Sequence, residues 1–177
     1  MFDDEGVGDS IWGDLDSDEI PDDPNFVAAG TYFATCTSAR FVMDKEDSTR
    51  RVAIAWTWTI EEPESEYHGF PLNEYINLPR SKRQREAEGD SAPSPREKQD
   101  ASRLKVRLRD AFNLTPDEIR HFSDPDDLIG INAYVTSTVR TNKKDPNDTR
   151  KFINVVKAIS PEKHAEEMSR RGAELTL

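Results

Sequence analysis

Between Arg51 and Ile60 the chain alternates with a period of two. Val52, Ile54, Trp56, Trp58 and Ile60 fall on one side, and Ala53, Ala55, Thr57 and Thr59 on the other. That period predicts a strand with one buried face, so Trp56 and Trp58 are expected in the core. Thr31 to Val42 is rich in β-formers and predicts a strand before it, joined by the charged turn Asp44 to Thr49. Gly69 to Leu78 predicts a third strand, with an irregularity before Tyr75 and Ile76.

Pro79 opens a polar linker over about 79–94. Ser94-Pro95-Arg96-Glu97 then has the form of a capping box with proline at the first helical position. The helix it starts places Ala101, Leu104, Leu108, Ala111 and Phe112 on one face, with Arg103, Lys105, Arg107 and Arg109 around the solvated side. Thr115-Pro116-Asp117-Glu118 repeats the signature for a short helix ending near Phe122. Leu128 to Thr141 and Arg150 to Ile159 predict two further strands around the turn NKKDPND. Ser160-Pro161-Glu162 starts a terminal helix, with Gly172 as its expected stop. The order predicts a mainly β (α+β) chain: a five-stranded OB-like barrel with a helix between strands 3 and 4 and a C-terminal helix. Other five-stranded α+β folds share this order.

Charge divides the chain. Ten of the first 24 residues are acidic and none is basic, whereas the remainder carries 25 acids against 24 bases. The net charge of -11 therefore belongs mainly to the front segment, and the body is free to hold a local basic surface. Residues 1–24 have too little apolar surface to offset their ordering entropy and predict a disordered acidic tail. Phe2, Ile11 and Trp12 stand among its acids as a candidate partner-binding motif; a plain solubilising tail is the alternative. The domain is expected over 25–160 and the terminal helix and tail over 161–177. No run of 18 apolar residues predicts a membrane span, and nothing at the N-terminus has the form of a signal peptide. The single cysteine, Cys36, permits no internal disulfide; it is expected to be a buried strand residue.

No catalytic, zinc or phosphate-cradling motif is present. His68, His121 and His164 are scattered and read as surface or boundary residues. Asp14, Asp16 and Asp18 imitate the start of a calcium loop, but Glu19 replaces the required glycine and Asn25 the bidentate acid. The expectation is a non-catalytic protein with no cofactor. Single-strand binding asks instead for aromatic platforms and cations that follow the phosphates. Tyr32, Tyr75 and Tyr134 are candidate platforms. Arg50 and Arg51 in the first hairpin, Arg80, Lys82 and Arg83 after strand three, and Arg140, Lys143, Lys144, Arg150 and Lys151 around the last hairpin are candidate cations.

Gly30-Thr31-Tyr32-Phe33-Ala34, the strand ending Trp56-Thr57-Trp58-Thr59-Ile60, Gly69-Phe70, Leu104 to Phe112, Leu128-Ile129-Gly130 and Lys151-Phe152-Ile153-Asn154 together resemble a family of small phage-encoded proteins. Those are regarded as OB-fold single-stranded-DNA-binding or recombination-accessory proteins. The resemblance covers roughly Gly30 to Ser160. It implies single-stranded DNA as partner, a role in phage DNA replication or recombination, and the host cytoplasm as location. The acidic segment, at the N-terminus here, departs from the C-terminal acidic tails usual in such proteins. It would regulate DNA binding or recruit a replication or recombination protein. Homo-oligomerisation stays open, as do two rival functions: an interaction module or DNA-mimic inhibitor, and a virion structural subunit.

Overall fold

A computed structural model describes residues 25–148 and 150–175. The acidic segment 1–24, with Phe2, Ile11 and Trp12, lies outside the described residues. Five strands form one antiparallel sheet: β1 (Gly30–Met43), β2 (Arg51–Ile60), β3 (Pro71–Asn77), β4 (Asn132–Thr141) and β5 (Lys151–Ile159). Their order across the sheet is β3-β2-β1-β4-β5. The described helices are α1 (Lys82–Ala87), α2 (Pro95–Asp110), α3 (Pro116–Arg120) and α4 (Pro161–Glu174), with a 3-10 turn at Pro125–Leu128. None is long and apolar enough to cross a membrane.

β1 is long enough to serve two partners. Gly30–Thr35 pairs with β4, and Ala34–Met43 with β2. A register shift between Cys36 and Ser38 leaves Thr37 as an extra residue. Such a bulge bends a strand and increases its twist, which carries β1 from one half of the sheet to the other. The inner face follows the alternation of each strand: Tyr32, Ala34 and Cys36, then Ile54, Trp56, Trp58 and Ile60, then Leu72 and Ile76, with Ala133, Val135, Val155 and Ala158 from β4 and β5. α2 covers this face with Leu108, and Ala111 and Phe112 follow. The Phe112 ring stacks on Trp58 at 4.9 Å and meets Trp56 edge-on at 5.4 Å. Trp56 and Trp58 are core residues, and Cys36 is buried with no exposed surface.

The sheet is open. β3 and β5, its two edges, approach each other without forming a ladder. α2 contacts both edge strands and so covers the gap between them.

Several sequence expectations are corrected by local geometry. β3 runs without irregularity, so Glu74 faces inward and Tyr75 outward. Arg107 belongs not to the solvated side of α2 but to the interior, at 4% exposure. It answers Glu74: Nε and Nη2 reach Glu74 Oε1 at 2.9 and 2.8 Å. The other oxygen, Oε2, accepts from Trp56 Nε1 at 2.8 Å and Trp58 Nε1 at 2.9 Å. One carboxylate therefore accepts from both indole N–H groups and from two nitrogens of the arginine.

The fourth strand starts at Asn132 rather than Leu128. Asp124 caps the 3-10 turn, and Gly130 holds φ +87°, a conformation incompatible with extended pairing. Its N–H donates to Cys36 O at 2.7 Å, tying this turn to the β1 bulge. The polar linker contains α1, started by a Ser81–Gln84 capping box. α4 continues through Gly172 to Glu174. A glycine stops a helix when it adopts the left-handed conformation, and Gly172 has ordinary helical backbone.

Candidate nucleic-acid interface

The outward positions of β1, β2 and β3 form a polar face. Thr57 Oγ1 donates to Asn73 Oδ1 at 2.8 Å, Thr35 Oγ1 to Asn132 Oδ1 at 2.7 Å, and Thr37 and Thr59 share a hydroxyl contact at 2.8 Å. Cross-strand pairs of this kind stabilise a sheet surface while leaving it hydrated. At one end Tyr75, Ala55 and Arg40 stand in register across three strands. Ala55 is too small to fill the space between its neighbours. The result is a groove lined by Ser38, Arg40, Thr57, Asn73 and Tyr75. Tyr75 is 50% exposed, and Arg40 makes no ion pair among the described residues. The groove thus offers an open aromatic face, a cation and hydroxyl and amide groups.

The last hairpin supplies a second such arrangement. Arg140 pairs across the strands with Phe152, whose ring is 44% exposed. The Arg150 guanidinium lies 5.6 Å from that ring's centroid. Asx turns shape the loop: Asn142 Oδ1 accepts from Lys144 N–H, and Asp145 Oδ1 from Asn147 N–H. Asp148 holds Arg150 in a fork, with Nε and Nη2 at 2.8 and 2.9 Å from its two oxygens. That guanidinium keeps the Asp148 carboxyl well below the usual carboxylate range. Lys143, Lys144 and Lys151 are exposed around the loop.

The other candidates divide. Tyr32 is withdrawn: its ring is in the core, edge-on to Tyr67 at 5.8 Å, and its hydroxyl donates to Ala28 O at 2.8 Å. Burial raises its pKa. Tyr134 has one face covered by His164, with centroids 3.7 Å apart, and packs beside Phe33 at 5.3 Å. Both rings border a hollow lined by Glu61, Glu62 and Glu64, an unfavourable surface for a polyanion. Tyr134 therefore does not converge with Tyr75.

Arg80 is not an open cation. It is the centre of an ion-pair hub with Glu88, Asp90 and Glu97, its Nε 2.9 Å from Glu97 Oε1. These partners raise its pKa and hold the Glu97 carboxyl well below its ordinary value. Arg50 reaches the same Glu88 at 3.8 Å, and Lys82 pairs with Glu86 one helical turn away. Arg83 is exposed on α1. Arg51 lies over the Phe41 ring at 4.1 Å. The basic knot after β3 thus works mainly to fasten α1 to the start of α2.

Sequence reading missed Arg40 and Phe152. Strand parity carries the signal for Phe152, which is out of phase with the inward Ile153 and Val155. For Arg40 the bulge at Thr37 breaks the alternation, so parity counted from Tyr32 points it to the wrong face. Among the described residues no group of three His, Cys, Asp or Glu side chains is placed to hold a metal ion. Comparison of the chain with family models, curated proteins and solved structures found no match to any of them.

Proposed function

We propose that this chain is a non-catalytic single-stranded-DNA-binding protein, built on an OB-like sheet and acting in phage DNA replication or recombination in the host cytoplasm. One observation carries the reading: the outer face exposes two aromatic rings, Tyr75 and Phe152, each with an arginine beside it. Stacking on such rings is sequence-tolerant because every base has a π-face, and nearby cations follow the phosphates. The strand order supports the OB-like part. Its two ends, β3 and β5, are the strands an OB barrel brings together, and α2 sits between strands three and four as that fold requires. Tyr75, Arg40, Phe152, Arg140, Lys143, Lys144 and Lys151 carry binding in this reading. Arg80 and Tyr32 have structural roles.

Fluorescence anisotropy of a labelled oligo-dT tests the proposal. Removing a stacked ring costs about 1–3 kcal/mol per base. Tyr75→Ala and Phe152→Ala should each weaken binding by roughly 5- to 150-fold. Tyr134→Ala should leave it within about twofold. No binding at low salt, or equal loss from all three variants, overturns the reading.

A further inference from the structure

The mouth of the sheet interior holds an apolar cavity of about 320 Å³ that the DNA reading does not use. Phe41, Ile54, Leu78, Leu104, Ile119 and Phe122 line it. Two cations stand at its edge, Arg51 and Lys105. Both are exposed, and neither makes an ion pair among the described residues. An occupant that suits this cavity is a large apolar side chain with acids on either side.

The chain itself carries such a segment. Asp9-Ser10-Ile11-Trp12-Gly13-Asp14-Leu15-Asp16 sets two large apolar residues between carboxylates, with no base within the first 24 positions. Its reach is sufficient. Ala28 is fixed beside Tyr32 by the tyrosine hydroxyl. The nine residue steps along β1 from Tyr32 to Phe41 span at most ~30 Å. The thirteen residue steps from Trp12 to Asn25 extend up to ~45 Å.

We propose that the Ile11–Trp12 segment docks in this cavity of its own chain, with Asp9, Asp14 and Asp16 facing Arg51 and Lys105. The inference is independent of DNA binding. It explains why an apolar opening and two unpaired cations coexist at one end of the sheet.

Acrylamide quenching of tryptophan fluorescence in the full-length protein tests it without DNA. The signal of Trp12 is the difference between wild type and Trp12→Phe, because Trp56 and Trp58 are buried and remain in both. In the native protein Trp12 should quench at least threefold less than in urea. In Arg51→Glu/Lys105→Glu it should quench as in urea. The same charge reversals made in Trp12→Phe should leave Trp56 and Trp58 shielded, which establishes that the fold is intact. A Trp12 as accessible in the native protein as in urea overturns the proposal. So does shielding that survives charge reversal, since the segment would then sit elsewhere. Shielding that grows with protein concentration also overturns it, by assigning the cavity to the segment of a second copy.

Discussion

Glu74 makes the inside of this protein polar at one point. Its carboxylate is buried between Arg107 and the two indole N–H groups. Burying such a pair is near neutral for stability, but removing one partner leaves an uncompensated charge and costs about 3–5 kcal/mol. Glu74→Leu should therefore lower stability by that order in urea denaturation. Glu74→Leu/Arg107→Met should recover a substantial part of it, the remainder reflecting two indoles without an acceptor. Equal loss in the single and double variants would contradict this account. Cys36 gives a second residue-scale expectation. Burial pushes its thiol up to about 11, so it should not react with a thiol reagent at pH 8 until the protein unfolds. A stoichiometric reaction in native buffer would contradict its placement.

At the scale of elements, α4 is docked through Asp110 at the end of α2. Asp110 Oδ1 receives Lys163 Nζ at 2.6 Å and Arg109 Nε at 2.7 Å, while the Asp110 carbonyl accepts from Ser160 N–H at 2.6 Å. The two cations pull the Asp110 carboxyl down from 3.8 to about 2. A carboxyl held lower in the folded state than in the unfolded one stabilises the fold above its unfolded value, and that contribution is lost as pH falls. Docking of α4 should therefore weaken between pH 4 and 2. Amide protection factors in α4, taken relative to the intrinsic rate at each pH, should fall over that interval. In Asp110→Asn the protection should already be lower at pH 6, and what is further lost on acidification should come from the Lys157–Glu167 pair that also holds α4.

Most elements were legible because their signals are local. Period-two alternation placed β2, and Ser-Pro-x-Glu and Thr-Pro-x-Glu placed the starts of α2 and α3. What was illegible depended on partners distant in sequence. Arg107 is buried only because Glu74, 33 residues earlier, faces it. The Arg80 hub likewise depends on Glu88, Asp90 and Glu97, which fold back on it through α1. Of the proposed interface, Tyr75 was readable from its polar neighbours and the last-hairpin cations from their place in a loop; the same polar-neighbour signal misplaced Tyr134, whose ring is covered by His164. Arg40 required knowledge of the bulge. Tyr32 was misplaced because a strand's period does not say which of its two faces is buried.

For the whole molecule, a nearly neutral body with a polar outer sheet face is proposed to bind a polyanion. The cations of the proposed binding face are few: Arg40, Arg140, Lys143, Lys144 and Lys151 are exposed there, while Arg50, Arg80 and Arg150 are held by carboxylates. If about four phosphates are neutralised, log K should fall against log salt with a slope near -3, from about -0.7 per phosphate for single strands. A slope near -7 would require about ten phosphate contacts, more than those outer-face cations supply. The most direct measurement is photo-crosslinking of a 5-iodouracil-substituted oligonucleotide to the full-length protein, followed by peptide mapping. Adducts are expected at Tyr75 and Phe152. Adducts confined to Phe33 and Tyr134, or none at low salt, would contradict the proposed binding.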